Sequence, residues 1–492
     1  MAKRFLIVLI TIFSGFIFQS CRGDDFDVFK NKVEEFGKNN IISVEELQEL
    51  KGDIELHSSD REFNRFFTNK ELDDNKIDRY ITDLGFVIEE EQTDDPSKKI
   101  INIYIENSGS MFGFVNGNTG FKNAMTKLIV DLKHNNYKEE NIKFHFINKK
   151  ITPITITGKI EDYPISLSGS IMRDSDSNDS NINDIYEQIL GNTSENVISI
   201  LFSDCIYSIH QDIKNNDVEG ALKIWKTRTV GVFQDIIKNK EISTLFVQLT
   251  SDFTGSYYTR ENKPITLNKQ QIPYYITIIG EEKDINRFDF VDNLDGFQNK
   301  LVFTTQDYSK NSFYSLVQTN EDNGGYKPSR DRNSNANIVQ SIESIRIQGR
   351  GDDRFIFSVA VDFSKLPVDE NYLLQENNYT IDKGDYKIAS IFPYDKNILK
   401  PNSLVKLEKN KETPTHIIVF ENTSEKYSDL VFSLNKNVPE WIYDWNTNDD
   451  SDIRTNPNQT FGIKYLTEGI FEAYQNTSTN KDYITLTINI KK

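Results

Sequence analysis

Cysteine is almost absent from this sequence. Its 492 residues contain only Cys21 and Cys205. If Cys21 is lipidated, Cys205 has no partner, so a framework of disulfide bonds is excluded. The chain must then be held together by its hydrophobic core, and at this length two or three domains are expected.

Positive charge is also scarce. The 57 Lys and Arg residues are outnumbered by 75 Asp and Glu residues, which gives a net charge of −18 at pH 7. A chain this acidic repels nucleic acid and anionic lipid. No nucleic-acid partner is therefore expected. Aromatic residues make up 12 % of the chain, which favours a folded protein over a disordered polyanion.

Long apolar runs are missing beyond the first residues of the chain. Lys3 and Arg4 precede an almost wholly apolar stretch from Phe5 to Phe18. This stretch is short for a bilayer span and is followed by polar sequence. Residues 1–20 are therefore predicted to be a cleaved signal peptide.

The residues around Cys21 predict a lipid anchor. The sequence from Phe18 to Cys21 resembles a bacterial lipobox, with Phe18 where Leu is usual. In a lipobox the cysteine becomes the acylated first residue of the mature protein. Asp24 and Asp25 resemble the export signal of some Gram-negative surface lipoproteins. The resemblance implies an outer-membrane, surface-exposed protein attached through acyl chains alone; the alternative is an ordinary signal peptide.

The segment after the anchor, residues 21–97, is predicted to be a helical spacer. Ser43 and Glu46 form a capping-box pattern, and Phe63, Phe66 and Phe67 recur at helical spacing. The sequence therefore predicts a small helical region that separates the remaining chain from the membrane.

Strand and helix patterns alternate across residues 98–315. Apolar strands are predicted at 100–105, 142–146 and 197–202, and an amphipathic helix at 121–132. Continuous apolar strands alternating with amphipathic helices predict an α/β domain with a doubly wound, mainly parallel sheet. Ligands of such sheets bind at the carboxyl ends of the strands.

The period of the pattern changes after a predicted linker at 316–340. Apolar residues alternate with smaller or polar ones at 355–363 and again at 484–490. This period of two predicts an antiparallel β-sandwich over residues 341–492. A helical insertion is expected around residues 466–474.

Oxygen-bearing side chains occur where these strands end and helices begin. Glu106, Ser108 and Ser110 end the first strand, Ser180 opens a helix, and Asp204 follows the strand at 197–202. The three loops should meet at one edge of the sheet. Hydroxyl and carboxylate oxygens are hard ligands suited to magnesium, calcium or manganese.

These segments resemble a von Willebrand factor A (vWA) domain and its metal-ion-dependent adhesion site. Glu106, Ser108 and Ser110 are similar to the family's Asp-x-Ser-x-Ser, with Glu for Asp, while Ser180 replaces a Thr and Asp204 matches a later Asp. The resemblance implies a divalent cation bound by the three serines, with the two acids bound directly or through water. An acidic group of the partner would complete the coordination. The alternative is a metal-free scaffold whose polar tip only caps the next helix.

A second candidate binding surface lies in the insertion at residues 251–273. It carries Phe253, Tyr257, Tyr258 and Arg260, residue types that are favoured in binding surfaces. The alternative is a β-hairpin that packs its aromatic side chains on the domain.

The expected function is non-enzymatic binding of a protein or glycan ligand at the cell surface. A structural subunit of a cell-envelope assembly is the second hypothesis. A serine hydrolase built on Ser110, Asp204 and His210 is weaker, because Ser110 lacks the Gly-x-Ser-x-Gly pattern. The five histidines show no zinc-site spacing. Residues 444–455 begin like a calcium loop but lack its glycine and glutamate, so a solvated turn is predicted.

Overall fold

The computed structural model describes residues 25–58, 60–68, 71–88, 95–173, 180–208, 217–309, 312–323, 325–328, 338–346, 354–410, 413–424 and 426–491. The predicted signal peptide and Cys21 lie outside these ranges. The chain divides into two compact units between Asp95 and Pro96. Within the described ranges, no helix has the length and apolar character that crossing a membrane requires.

The first unit is mainly helical. Its elements are α1 Asp25–Phe36, β1 Ile41–Ile42, α2 Val44–Leu56, β2 Phe67–Thr68, β3 Glu71–Leu72, α3 Asp74–Asp83 and β4 Val87–Ile88. The predicted capping box is present: Ser43 accepts a hydrogen bond from the Glu46 amide, and Glu46 accepts one from the Ser43 amide. Phe63 and Phe66 lie in a short 3₁₀ turn and are buried against Phe26 and Phe29.

The second unit begins with alternating strands and helices. Its elements up to residue 303 are β5 Ile100–Glu106, α4 Gly120–His134, β6 Ile142–Ile147, β7 Ile151–Ile154, α5 Tyr163–Ser166, α6 Gly169–Met172, α7 Ile182–Asn192, β8 Val197–Ser203, α8 Val218–Ile237, β9 Ser243–Tyr258, β10 Pro264–Gly280, α9 Glu282–Ile285 and β11 Phe297–Phe303. Seven of these strands form one sheet in the order β11-β9-β10-β8-β5-β6-β7. The predicted α/β architecture is therefore present at this coarse level.

The sheet is mixed, and the expectation of a mainly parallel sheet is wrong outside its centre. Only β5 with β6 and β5 with β8 pair in parallel. The other four neighbouring pairs are antiparallel. The reason is local: β9 ends in a tight reversal in which the Thr259 amide donates to the Lys263 carbonyl at 3.1 Å. A short reversal produces an antiparallel partner, so β10 lies between β8 and β9.

Helices cover both faces of this sheet. On one face α4 buries Phe121, Met125 and Leu128 against β5 residues such as Ile103. On the other face, α7 and α8 pack on alternate residues of the same strands, among them Tyr104. Because successive strand residues point to opposite faces, one apolar strand serves both cores.

The rest of the second unit contains two further sheets. Its elements are β12 Tyr314–Val317, β13 Gly325–Pro328, β14 Ser341–Arg346, β15 Ile356–Val361, α10 Glu370–Leu373, β16 Tyr379–Lys383, β17 Tyr386–Pro393, α11 Pro401–Asn410, β18 His416–Asn422, β19 Leu430–Asn435, α12 Glu440–Asp444, β20 Asn446–Thr447, β21 Thr460–Phe461, α13 Ile463–Thr477 and β22 Asp482–Ile490. The sheets have the orders β12-β15-β18-β17 and β13-β14-β22-β19-β16. They enclose one hydrophobic core, in which the rings of Phe420 and Phe432 lie 4.8 Å apart.

Two boundaries differ from those predicted. The expected linker at 316–340 contains strand β13 and the end of β12, while residues 329–337 lie outside the described ranges. The expected insertion in the β-sandwich, α13, instead packs on α8 of the α/β region, where Leu466 and Ile470 join the same core as Leu222. The amphipathic face of α13 is satisfied by the nearest helix of the large sheet, so residues 96–492 form one compact unit.

Candidate functional site

The carboxyl end of β5 carries a buried acid held by two hydroxyls. Glu106 is only 2 % exposed. Its carboxylate accepts hydrogen bonds from Ser180 at 2.7 Å and from Ser203, the last residue of β8, at 2.5 Å. The parallel pairing of β5 with β8 brings the two strand ends together, as predicted for this edge of the sheet. Ser203 is a site residue that sequence reasoning missed, although it directly precedes Asp204.

The next two site residues lie in the turn that follows β5. The hydroxyls of Ser108 and Ser110 are 2.9 Å apart, at the start of a 3₁₀ turn over Gly109–Val115. Helix α4 begins only at Gly120, and its N-cap is Thr119. The two serines therefore do not cap helix α4. The metal-free alternative predicted that they would, and this part of it is wrong.

Ser180 belongs to a third segment of the chain. It directly precedes the N-cap of α7, Asn181, whose side chain accepts hydrogen bonds from the amides of Asn183 and Asp184. The helix end is thus satisfied without Ser180. Its hydroxyl is left to donate to Glu106, which connects the α7 segment to the end of β5.

Asp204 is buried close to the other acid. It is 4 % exposed, and the amide of Ile206 donates to its carboxylate at 3.1 Å. Burial and the charge of Glu106 raise the pKa of Asp204 to about 7, while a hydrogen bond from Ser110 acts in the opposite direction. Ionising both of these neighbouring buried carboxyl groups is unfavourable, so the site favours a proton or a cation between them.

The backbone is strained immediately after Asp204. Cys205 has φ of +54°, in the left-handed region that side chains other than those of Gly and Asn rarely adopt. Its amide donates to Ser203 at 2.8 Å, which holds the turn in place. The conformation is therefore present without glycine, the residue that adopts it most easily.

These side chains line one cavity of about 440 Å³, which contains Ser108, Ser110, Ser180 and Asp204. Glu106 does not line it and lies beneath, behind the Ser180 hydroxyl. The five predicted residues are therefore brought together, with four at the cavity surface and one below it.

The four ligand-binding residues predicted in the insertion, which forms the β9–β10 hairpin, divide into two pairs. Phe253 and Tyr257 are buried, the first against Phe114 and Gly113 of the 3₁₀ turn, so these two are not surface ligand-binding residues as predicted. Tyr258 is 37 % exposed and lines the cavity together with Arg260. Successive residues of a strand point to opposite faces, and this alternation was the sequence signal that separates Tyr257 from Tyr258.

A distant segment of the chain holds the end of the β9–β10 hairpin. Asp450 accepts hydrogen bonds from the Arg260 amide at 2.9 Å and from the Tyr257 hydroxyl at 3.1 Å. The guanidinium of Arg260 donates to the Asn448 carbonyl and pairs with Asp449. The solvated turn predicted here is wrong in this respect, since Asp450 is 2 % exposed.

The donor set fits a hard divalent cation. At the cavity surface, the predicted residues offer three serine hydroxyls and the Asp204 carboxylate, all oxygen ligands of the kind that magnesium, calcium and manganese prefer. The guanidinium of Arg260 does not compete for the acids, because its partners are Asn448 and Asp449. The other arginine that lines the cavity, Arg173, lies with its guanidinium 5.4 Å from the centroid of the Phe112 ring.

The hydrolase alternative gains no support. No histidine lines the cavity among the described residues, and His210 lies outside them. Burial raises the pKa of the Cys205 thiol, which keeps it protonated and unreactive.

Neither the protein-family models, nor the curated proteins, nor the solved structures contain a match to this chain. The resemblance to a vWA domain stays a prediction from the sequence.

Proposed function

We propose that this protein is a surface lipoprotein that captures a protein or glycan ligand through a cation-dependent site on its α/β region. The observation that carries the proposal is the convergence of hydroxyls and acids from three chain segments on one cavity, away from any helix-capping role.

Each residue has a distinct part in the proposed site. Ser108, Ser110 and Ser180 would hold the cation, with Asp204 beside Ser110. Glu106 would act through Ser180, because its carboxylate lies below the cavity and accepts the Ser180 hydrogen. A bound divalent cation would supply an open coordination position for an acidic oxygen of the ligand. Tyr258 and Arg260 would contact the ligand at the rim.

The longer acid at position 106 suits this arrangement. With Glu in place of the family's Asp, the carboxylate reaches both Ser180 and Ser203. An acid that works through a neighbouring hydroxyl does not need the exact position of a direct ligand.

A cation titration of the full-length protein in detergent tests the proposal. At a hundredfold excess over the dissociation constant, the cation should stabilise the fold by about 2.7 kcal/mol. Asp204→Ala should remove most of this gain. The matched control, Asp289→Ala, changes an exposed acid outside the cavity and should keep the gain in full. A wild-type melting temperature that ignores magnesium, calcium and manganese would refute the cation-dependent site.

A structural subunit of a cell-envelope assembly is the second candidate. Both oxygens of Glu106 already accept hydroxyl hydrogens, so the floor of the site is satisfied without a cation. A metal-free scaffold of this kind predicts the cation-independent melting that would refute the first proposal.

A further inference from the structure

The first unit contains a cluster of possible metal ligands that the spacing of the histidines does not predict. One ligand atom each from Asp25, His57 and Asp60 lies within 4.8 Å of the others. Asp25 is the first residue of α1, His57 is the C-cap of α2, and Asp60 lies in the turn that follows. The fold thus brings together residues that no short sequence motif connects.

The imidazole of His57 is oriented by groups outside the cluster. Its Nδ1 lies 2.9 Å from the Asp53 carbonyl oxygen. A carbonyl can only accept, so Nδ1 must carry the hydrogen, and the neutral ring then has its lone pair on Nε2. The ring is also stacked on Phe63, with centroids 5.1 Å apart. Metal-binding histidines are held in this way, with the second ring nitrogen donating to a carbonyl or carboxylate.

The two carboxylates have no basic partner in the described part of the chain. Neither Asp25 nor Asp60 forms an ion pair there, whereas Asp53 and Asp74 of the same unit pair with Lys32 and Lys51. Two carboxylates beside an imidazole nitrogen, with no Lys or Arg paired to them among the described residues, attract a cation.

We propose that Asp25, His57 and Asp60 bind a divalent transition-metal ion, with zinc as the best match. One nitrogen and two carboxylate oxygens suit zinc, and three protein ligands leave water the fourth tetrahedral position. This donor set differs from the all-oxygen cavity of the second unit, so the proposal does not depend on the function proposed above.

The ion would connect the start of α1 to the turn after α2. Asp25 lies four positions after Cys21, the residue predicted to carry the lipid. The metal would therefore fix the first turn of α1 to the body of a small unit, where a closed loop adds to a limited core.

The test is a zinc titration of the full-length protein, purified in detergent without a histidine tag. The wild type should bind about one equivalent saturably, and cobalt in place of zinc should give a visible ligand-field spectrum. His57→Phe keeps a ring to stack on Phe63 but has no ligand nitrogen, and it should lower zinc affinity more than about 100-fold. Asp25→Asn and Asp60→Asn should each weaken binding.

Two controls make the result decisive. His134→Ala removes an exposed histidine at the end of α4 and should leave zinc binding unchanged. Asp289→Ala changes an exposed acid of the second unit that does not line its cavity, and it should also bind zinc like the wild type. Absence of saturable zinc uptake, or uptake that survives His57→Phe, would overturn the proposal.

Discussion

Tyr257 and Asp450 are 193 positions apart in sequence, yet the buried Tyr257 hydroxyl donates to the buried Asp450 carboxylate at 3.1 Å. The same carboxylate accepts the Arg260 amide at 2.9 Å. Asp450 therefore positions the hairpin tip that carries Tyr258 and Arg260, and residues near the C-terminus contribute to a site on the α/β region.

Asp450→Ala should destabilise the protein. The buried Tyr257 hydroxyl and the partly buried Arg260 amide lose their acceptor, and a buried donor left unpaired costs about 1–3 kcal/mol. Asp449→Ala is the matched control, because it removes an ion pair to Arg260 at 3.4 Å and a hydrogen bond from the Ser451 amide, both at an exposed carboxylate, and should cost about 1 kcal/mol. Urea denaturation of both variants measures the difference. Equal costs would show that Asp450 does not hold the hairpin.

Glu106→Asp tests the acid below the cavity. The shorter side chain cannot reach both Ser180 and Ser203, now bonded at 2.7 and 2.5 Å. One buried hydroxyl loses its partner, so the cation-free protein should lose about 1–3 kcal/mol of stability. Ser180→Ala, which removes one hydrogen bond at a half-exposed position, should cost about 1 kcal/mol. Unchanged denaturation of Glu106→Asp would contradict the anchoring role.

The pKa of Asp204 predicts how stability depends on pH. Burial and Glu106 raise it to about 7, against about 3.9 for an unfolded Asp. The stability that comes from the bound proton is complete below about pH 4 and is lost as the pH rises through about 7.

The cation-free protein should therefore melt at a lower temperature at about pH 8 than at about pH 5. Asp204→Asn cannot ionise and should flatten part of this slope. The wild type must be compared with Asp204→Asn, because burial also raises the pKa of Asp450 and both proteins share that contribution to the slope. Parallel melting curves for wild type and Asp204→Asn would contradict the prediction.

Two helical glycines test whether α13 belongs to the α/β region. A Cβ at Gly469 of α13 would lie 2.8 Å from Thr229 of α8, whereas a Cβ at Gly231 of α8 meets nothing within 4 Å. Gly469→Ala should cost about 1–3 kcal/mol through overpacking. Gly231→Ala should stabilise by about 0.5–1 kcal/mol, because only the helix propensity changes. Thermal melts that rank the two variants in the reverse order would argue against this packing.

Cys21→Ser tests the predicted anchor. Without the thiol no acyl chain can be attached, so labelled fatty acid should enter the wild type and not the variant. The variant should leave the membrane fraction. Equal partitioning of both proteins, together with an unlabelled wild type, would exclude a lipid anchor.

The position of a residue could be predicted from the sequence where it depends on a local pattern. Glu106, Ser108 and Ser110 follow a continuous apolar strand, and parallel strand ends meet at one edge, so their approach to Asp204 could be expected. The position of β10 could not be expected in the same way. It depends on whether the chain after β9 crosses the sheet or reverses, and both outcomes bury the same apolar residues.

The contacts of Asp450 could not be predicted from the sequence, for a different reason. A polar turn and a buried acceptor have the same composition, and only the fold decides which donors reach the carboxylate. Phe253 and Tyr257 were predictable in part, since their spacing of four places them on one face of a strand. The helix patterns at α4 and α7 were clear, whereas the face that receives α13 could not be read from α13 alone.

The strand order also determines when a sheet can form while the chain is being synthesised. Strand β22, the last of the chain, lies at the centre of its five-stranded sheet, between β14 and β19. A chain delivered from its N-terminus cannot close that sheet until β22 has emerged, or hold the hairpin through Asp450 until residue 450 has emerged. Contacts between distant residues form late and slow folding. A chain cut before α13 would leave the face of α8 that packs on α13 exposed.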